Sequence, residues 1–119
     1  LGTARAKGMG ILIMGLVQTV ERVKPDFLLV VGDREEPLAA AIVSNYLKIP
    51  LAHIAGGDAA MNNADDPIRH AVSKIAHIHF TICDEHKERL IKMGEEPFRV
   101  INTGTPALDR IRRTPQLSK

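Results

Sequence analysis

Hydrophobic and polar positions along this chain alternate between two patterns. Short apolar or β-branched runs at 27–31, 51–54, 78–82 and 99–102 predict four strands. Stretches with helical spacing at 37–48, 67–77 and 85–93 predict helices between them, with another helix before the first strand and one after the last. Strands that are apolar on both faces and separated by helices are the signature of βα units around a parallel sheet, with helices covering both sides. No internal repeat or low-complexity stretch interrupts the pattern.

Several helix ends have recognisable chemistry. Asp66 before Pro67 reads as an N-cap followed by a first helical residue, because a carboxylate satisfies free amides and proline lacks a donor that would be unpaired there. Thr105 and Pro106 repeat the arrangement, Gly94 ends the helix before it, and Lys24 and Pro25 close the first helix. Glu36, directly before Pro37, is placed to cap the next helix, which frees Asp33 from that duty. The first strand, Phe27-Leu28-Leu29-Val30-Val31, suits the middle of a sheet and is hazardous at an open edge. Further sequence is expected beside it, so the 119 residues read as a segment of a larger doubly wound α/β domain.

Composition narrows the partners. The chain is 45% hydrophobic but only 3% aromatic, so its core is aliphatic and it lacks stacking platforms for single-stranded nucleic acid. Sixteen Lys and Arg against fourteen Asp and Glu, with no long basic run, also argue against nucleic acid; 110–114 is too short a patch. Cys83 has no second cysteine, which excludes an internal disulfide and a thiolate zinc cage and suggests a reducing cytoplasm. The longest apolar stretch, 9–17, falls short of the ~20 residues that cross a bilayer, so no membrane span is expected.

Ligands of open parallel sheets bind at the carboxyl ends of the strands, and the segments there are polar. Gly32-Asp33-Arg34-Glu35-Glu36 follows the first strand, Ala55-Gly56-Gly57-Asp58 the second, with a loop ending in Asp65-Asp66, and Thr103-Gly104-Thr105 the last. These loops are expected to bring Asp33, Asp58 and Asp65 to one cleft, with Arg34, Arg69 and His70 nearby. Clustered carboxylates support proton transfer at a sugar, and Gly56 and Gly57 permit a close backbone approach to a ligand. Neither the dinucleotide pattern GxGxxG nor the phosphate-loop pattern GxxxxGK is present.

Each of these residues also has a plainer reading. Capping accounts for Asp66, Asp65 is equally a loop acid or an active-site acid, and Arg34 either grips a phosphate or pairs with a rim aspartate. His77 and His79 have a spacing compatible with a metal site, but a buried, hydrogen-bonded pair is preferred. His53 reads as structural or supporting, Cys83 as a packed, inert thiol, and His86 with the charges of 84–89 as a solvated helix face.

The polar segments, taken in order, resemble the UDP-N-acetylglucosamine 2-epimerase family, particularly its hydrolysing, sialic-acid-pathway branch. The matching text is Gly32-Asp33-Arg34 with Leu38-Ala39-Ala40-Ala41, His53-Ile54-x-Gly56-Gly57-Asp58, Asp65-Asp66-x-Ile68-Arg69-His70-Ala71, then Lys74, Ala76-His77 and His79-Phe80. Met93-Gly94-Glu95, Arg99-Val100 and Gly104 through Leu108-Asp109 continue it. The resemblance implies a GT-B-like fold of two Rossmann-like halves, of which residues 1–119 are the later portion of the first, with the second domain absent. It also implies a UDP-sugar substrate, no cofactor, a homo-oligomeric complete enzyme, and little or no activity in the segment by itself.

The family reaction eliminates UDP from UDP-GlcNAc to give 2-acetamidoglucal, and hydrolysing members then add water to release N-acetylmannosamine. By resemblance, Asp33 and Asp65 are catalytic; Arg34, Gly56, Gly57, Arg69 and His70 are the candidates to bind substrate, His70 alternatively orienting the acidic loop. A third family carboxylate falls at Ala55, where a methyl group cannot move a proton. Either Asp58, three residues on, has taken over as a catalytic acid, or the branch uses altered chemistry; binding without efficient turnover is less favoured. A GT-B glycosyltransferase and a non-catalytic nucleotide-sugar-binding domain are the rival readings.

Overall fold

The computed structural model describes residues 2–59 and 65–114. The elements run α1 (Gly2–Val23), β1 (Leu28–Val31), α2 (Glu35–Leu47), β2 (Leu51–Ile54), α3 (Asp66–Ile75), β3 (Ile78–Thr81), α4 (Asp84–Lys92), a short 3₁₀ turn (Pro97–Arg99), β4 (Val100–Asn102) and α5 (Pro106–Arg113). All four strands pair in parallel in the order β1-β2-β3-β4. The α/β class expected from the βα alternation is the class observed.

Coverage of the sheet departs from expectation. Val30, His53, His79 and Val100 form one row across the four strands, and all are buried. The neighbouring rows place Leu29 beside Ala52 and Ile78, and Val31 beside Ile54, Phe80 and Ile101. Leu29, Val31, Ile78 and Ile101 are 43–61% exposed, so among the described residues helices cover one face only. The cause lies in the strand order: right-handed crossovers between strands that follow one another across the sheet deliver every connecting helix to the same side. β1 lies at the end of this sheet.

The covered face is where the core forms. Val30, Ala41, Leu51, Val72 and Ala76 cluster there, with Leu28, Leu38, Ala40 and Ile75 packed against them. Full burial of a side chain such as Leu51 or Leu90 contributes about 1.5–3 kcal/mol. This packing ties α2 and α3 to the sheet and so fixes the first turns of both helices at its carboxyl rim.

The starts of α2, α3 and α4 fall one or two residues earlier than expected. α3 has Asp65 as its N-cap, so Asp66 is the first helical residue and its carboxylate turns to Arg69 instead of capping. α2 has Arg34 as its N-cap, and Glu35 and Glu36 occupy the first turn, where acids favour the positive end of the helix dipole. Other ends match the sequence reading. The Ala107 amide donates to Thr105 Oγ1 at 3.3 Å, Gly94 follows α4 at φ +97°, and Lys24 closes α1 in a left-handed conformation with its amide on Val20 O.

Candidate functional site

The rim is built from sharp turns at the strand ends. Gly32 after β1 has φ +88°, and Ala55 after β2 has φ +65°, an uncommon state for a residue with a side chain. The Ala55 amide still donates to Phe80 O at 2.9 Å, which holds the turn in place. Ala55→Gly is therefore expected to stabilise the complete protein by about 0.5–1 kcal/mol, measured as a higher urea midpoint.

Arg69, on the first turns of α3, gathers the acids. It is 7% exposed and pairs with Asp33 from the β1 loop, with Asp58 from the β2 loop at 3.3 Å, and with Asp66 at 3.8 Å. Two of the three expected carboxylates thus meet at one guanidinium. Asp65 sits one residue before α3, with its carbonyl accepting the Arg69 amide at 2.9 Å. His70 is half-buried beside Arg69 in the chain, whereas Arg34 is exposed and is not among the residues gathered at Arg69. Arg69, expected to bind substrate, is the buried cation that holds these carboxylates.

The two glycines are occupied by protein as well. A methyl group on Gly56 would come within 2.9 Å of both His53 Nδ1 and Ser73 Oγ, and one on Gly57 (φ +81°) would overlap the His86 carbonyl. Both are buried, so close packing against His53, Ser73 and His86 requires glycine here.

Helix α4 supplies residues that the sequence reading missed. His86, expected on a solvated face, is 8% exposed, and its Nε2 lies 3.3 Å from Asp58 Oδ1. Arg89 donates to the Gly57 carbonyl. The β2 loop docks on α4, and a run of charges in sequence gives no sign of that contact. Arg5 on α1 is another rim cation without a sequence signal: it pairs with Glu35, and its pKa is raised by that hydrogen bond foremost, with a smaller contribution from Asp65.

The histidines divide. His77 is exposed and its Nδ1 accepts the Leu51 amide at 3.1 Å, while His79 is fully buried with Nε2 3.2 Å from Glu95 Oε2, so they do not form the expected buried pair. Glu95 also accepts from Lys74 at 2.7 Å. Burial pushes the His79 pKa down against the opposing pull of Glu95. Among the described residues no group of three His, Cys, Asp or Glu side chains is placed to hold a metal ion, and no helix is long and apolar enough to cross a membrane.

His53 is fully buried, and its pKa is lowered from 6.5 to about 4. Burial is the main cause, the Gly32 carbonyl opposes it, and His79 and Arg69 add to it against Asp33. Because the folded state resists protonation, the unfolded chain binds more protons between about pH 6.5 and 4, and stability falls as pH drops through that window. The expected loss from His53 is about 3 kcal/mol by its lower end. Urea midpoints measured from pH 7 to 4.5 are expected to fall less steeply in His53→Gln than in wild type.

A family model described as UDP-N-acetylglucosamine 2-epimerase matches residues 2–119. The chain belongs to this family. Among its epimerase relatives is the UDP-N,N'-diacetylbacillosamine 2-epimerase (hydrolyzing) of Legionella pneumophila, 40% identical over 109 residues that cover 92% of this chain and 29% of that one. The GDP/UDP-N,N'-diacetylbacillosamine 2-epimerase (hydrolyzing) of Campylobacter jejuni is 38% identical over 113 residues, covering 95% and 29%. The structure of UDP-GlcNAc 2-epimerase from Neisseria meningitidis bound to UDP-GlcNAc superimposes with a TM-score of 0.79 at 27% identity, over 89% of this chain and 32% of that one. The chain thus spans less than a third of the length of the epimerases it matches.

Proposed function

We propose that the complete protein is a hydrolysing 2-epimerase of a UDP-linked 2-acetamido sugar, UDP-GlcNAc or UDP-N,N'-diacetylbacillosamine. The observation that carries this reading is the convergence of Asp33 and Asp58, from two strand ends, on Arg69 in a chain of the epimerase family. Both hydrolysing relatives at 38–40% identity support the hydrolytic outcome and the acetamido sugar. The unpaired thiol of Cys83 suits a reducing cytoplasm.

In this reading a base takes the proton from sugar C2 while the C1–oxygen bond to UDP breaks, leaving a double bond between C1 and C2. Water then adds its hydroxyl to C1, and a proton returns to C2 on the opposite face. Asp33, 22% exposed at its side chain, and Asp65 are assigned to the proton transfers, because side-chain acids at a sheltered rim can hold and release protons there. Asp58, more open at 42%, stands on the same loop as Ala55 and is assigned the duty of the carboxylate missing at that position.

Incubating the complete protein with each UDP sugar tests the proposal. Release of UDP together with the free 2-epimer is expected. Accumulation of a 2-epimerised UDP sugar with no UDP release would make the enzyme non-hydrolysing, and glycoside formation that requires an acceptor would make it a transferase.

A further inference from the structure

Beneath the rim lies a buried group that the reaction outlined above does not use. His53 Nε2 is 2.8 Å from the Gly32 carbonyl, and Nδ1 is 3.2 Å from Ser73 Oγ. A carbonyl only accepts, so Nε2 carries the proton and donates; Nδ1 of the neutral ring then accepts from the Ser73 hydroxyl. Both side chains are fully buried, and the missing side chain of Gly56 is what leaves them room. Four parts of the rim thus meet at one imidazole: the turn before Asp33, strand β2, the loop leading to Asp58, and α3. Ser73 lies one helical turn beyond Arg69 on α3.

We propose that His53 is a positioning residue: by fixing the Gly32 carbonyl against α3, it sets the Asp33 carboxylate relative to Arg69. The inference rests on the epimerase reading above. Apart from its two chain neighbours, nothing lies within 4 Å of where a Cβ on Gly32 would stand, so no packing on that side holds this left-handed turn. The imidazole hydrogen bond is the constraint upon it from below, alongside the Gly32 amide donating to Ile54 O at 3.1 Å. A misplacement of about 1 Å at a reacting group costs on the order of 10²-fold in rate, so a support of this kind acts on kcat.

The test uses the complete protein, UDP release from UDP-GlcNAc and UDP-N,N'-diacetylbacillosamine, and the variants His53→Leu and His53→Gln. Leucine fills the space without a donor, whereas the glutamine amide can reach the place of Nε2. His53→Leu is expected to lose about 10²-fold in kcat with KM little changed, and His53→Gln to recover to within about fivefold of wild type. Isotope-labelled histidine spectra at neutral pH are expected to show the His53 proton on Nε2. A folded His53→Leu within about threefold of wild-type kcat overturns the inference. So does a folded glutamine variant that itself loses about 10²-fold in kcat, or a proton found on Nδ1; these two readings serve if His53→Leu does not fold. A wild type that releases UDP from neither sugar overturns the hydrolysing reading itself, which separates the two failures.

Discussion

Asp33→Asn in the complete protein is expected to lower kcat for UDP release by ~10²–10⁴, with KM little changed. Asparagine keeps the shape of the side chain and can still accept a hydrogen bond from Arg69, so the fold of the β1 turn survives. What it loses is the ability to take up and return a proton. Asp33 is the candidate whose geometry is most constrained: it follows the left-handed Gly32, and its Oδ2 is engaged by Arg69 Nη2. Running the reaction in deuterated water sharpens the result, since a proton returned to C2 from solvent labels the product there. A kcat within about tenfold of wild type would remove Asp33 from the proton transfers.

Arg69→Met is expected to destabilise the complete protein by about 3 kcal/mol and to abolish measurable turnover. The methionine occupies much of the arginine's volume, so the loss comes from charge. Without the guanidinium, Asp33, Asp58 and Asp66 lose the buried cation that they share. Removing one partner of a buried pair usually costs ~3–5 kcal/mol. The lower figure applies because the Asp58 side chain keeps 42% of its exposure and water can offset part of the loss. Arg69→Lys is expected to recover some stability but less activity, because a single ammonium cannot hold acids from separate loops in a fixed fork. Equilibrium urea unfolding of wild type and both variants checks the ordering; an Arg69→Met as stable as wild type would show that the pairs contribute little.

Much of this arrangement is legible in the residues alone. The four strands stand out because each is a short apolar run, and the rim acids stand out because a polar segment follows each run. Arg69 lies close enough to Asp65 and Asp66 in sequence to be drawn into the same cluster. What escaped the sequence is long-range. The order of strands across the sheet decides which faces the helices cover, and no local pattern encodes it. His86 and Arg89 sit among charges that imitate a solvated face, and only the docking of the Gly57 loop shows that they face inward. Gly56 and Gly57 were visible as special positions, but the atoms that require their missing side chains come from β2, α3 and α4. The left-handed turn at Ala55 was hidden for the opposite reason, since alanine gives no hint of an unusual backbone.

The bare side of the sheet bears on the portability of this segment. Leu29, Val31, Ile78 and Ile101 leave apolar side chains exposed, and β1, at the end of the sheet, adds an outer edge with no strand partner among the described residues. Both invite association with other chains, the first through area and the second through strand addition. Transplanting the segment as a ready-made carboxylate rim would therefore carry a liability for clumping along with the chemistry. A water-tolerant version needs charged side chains at outward positions such as 29 and 101 and a blunted first strand, changes that leave the inward row of Val30, His53, His79 and Val100 untouched.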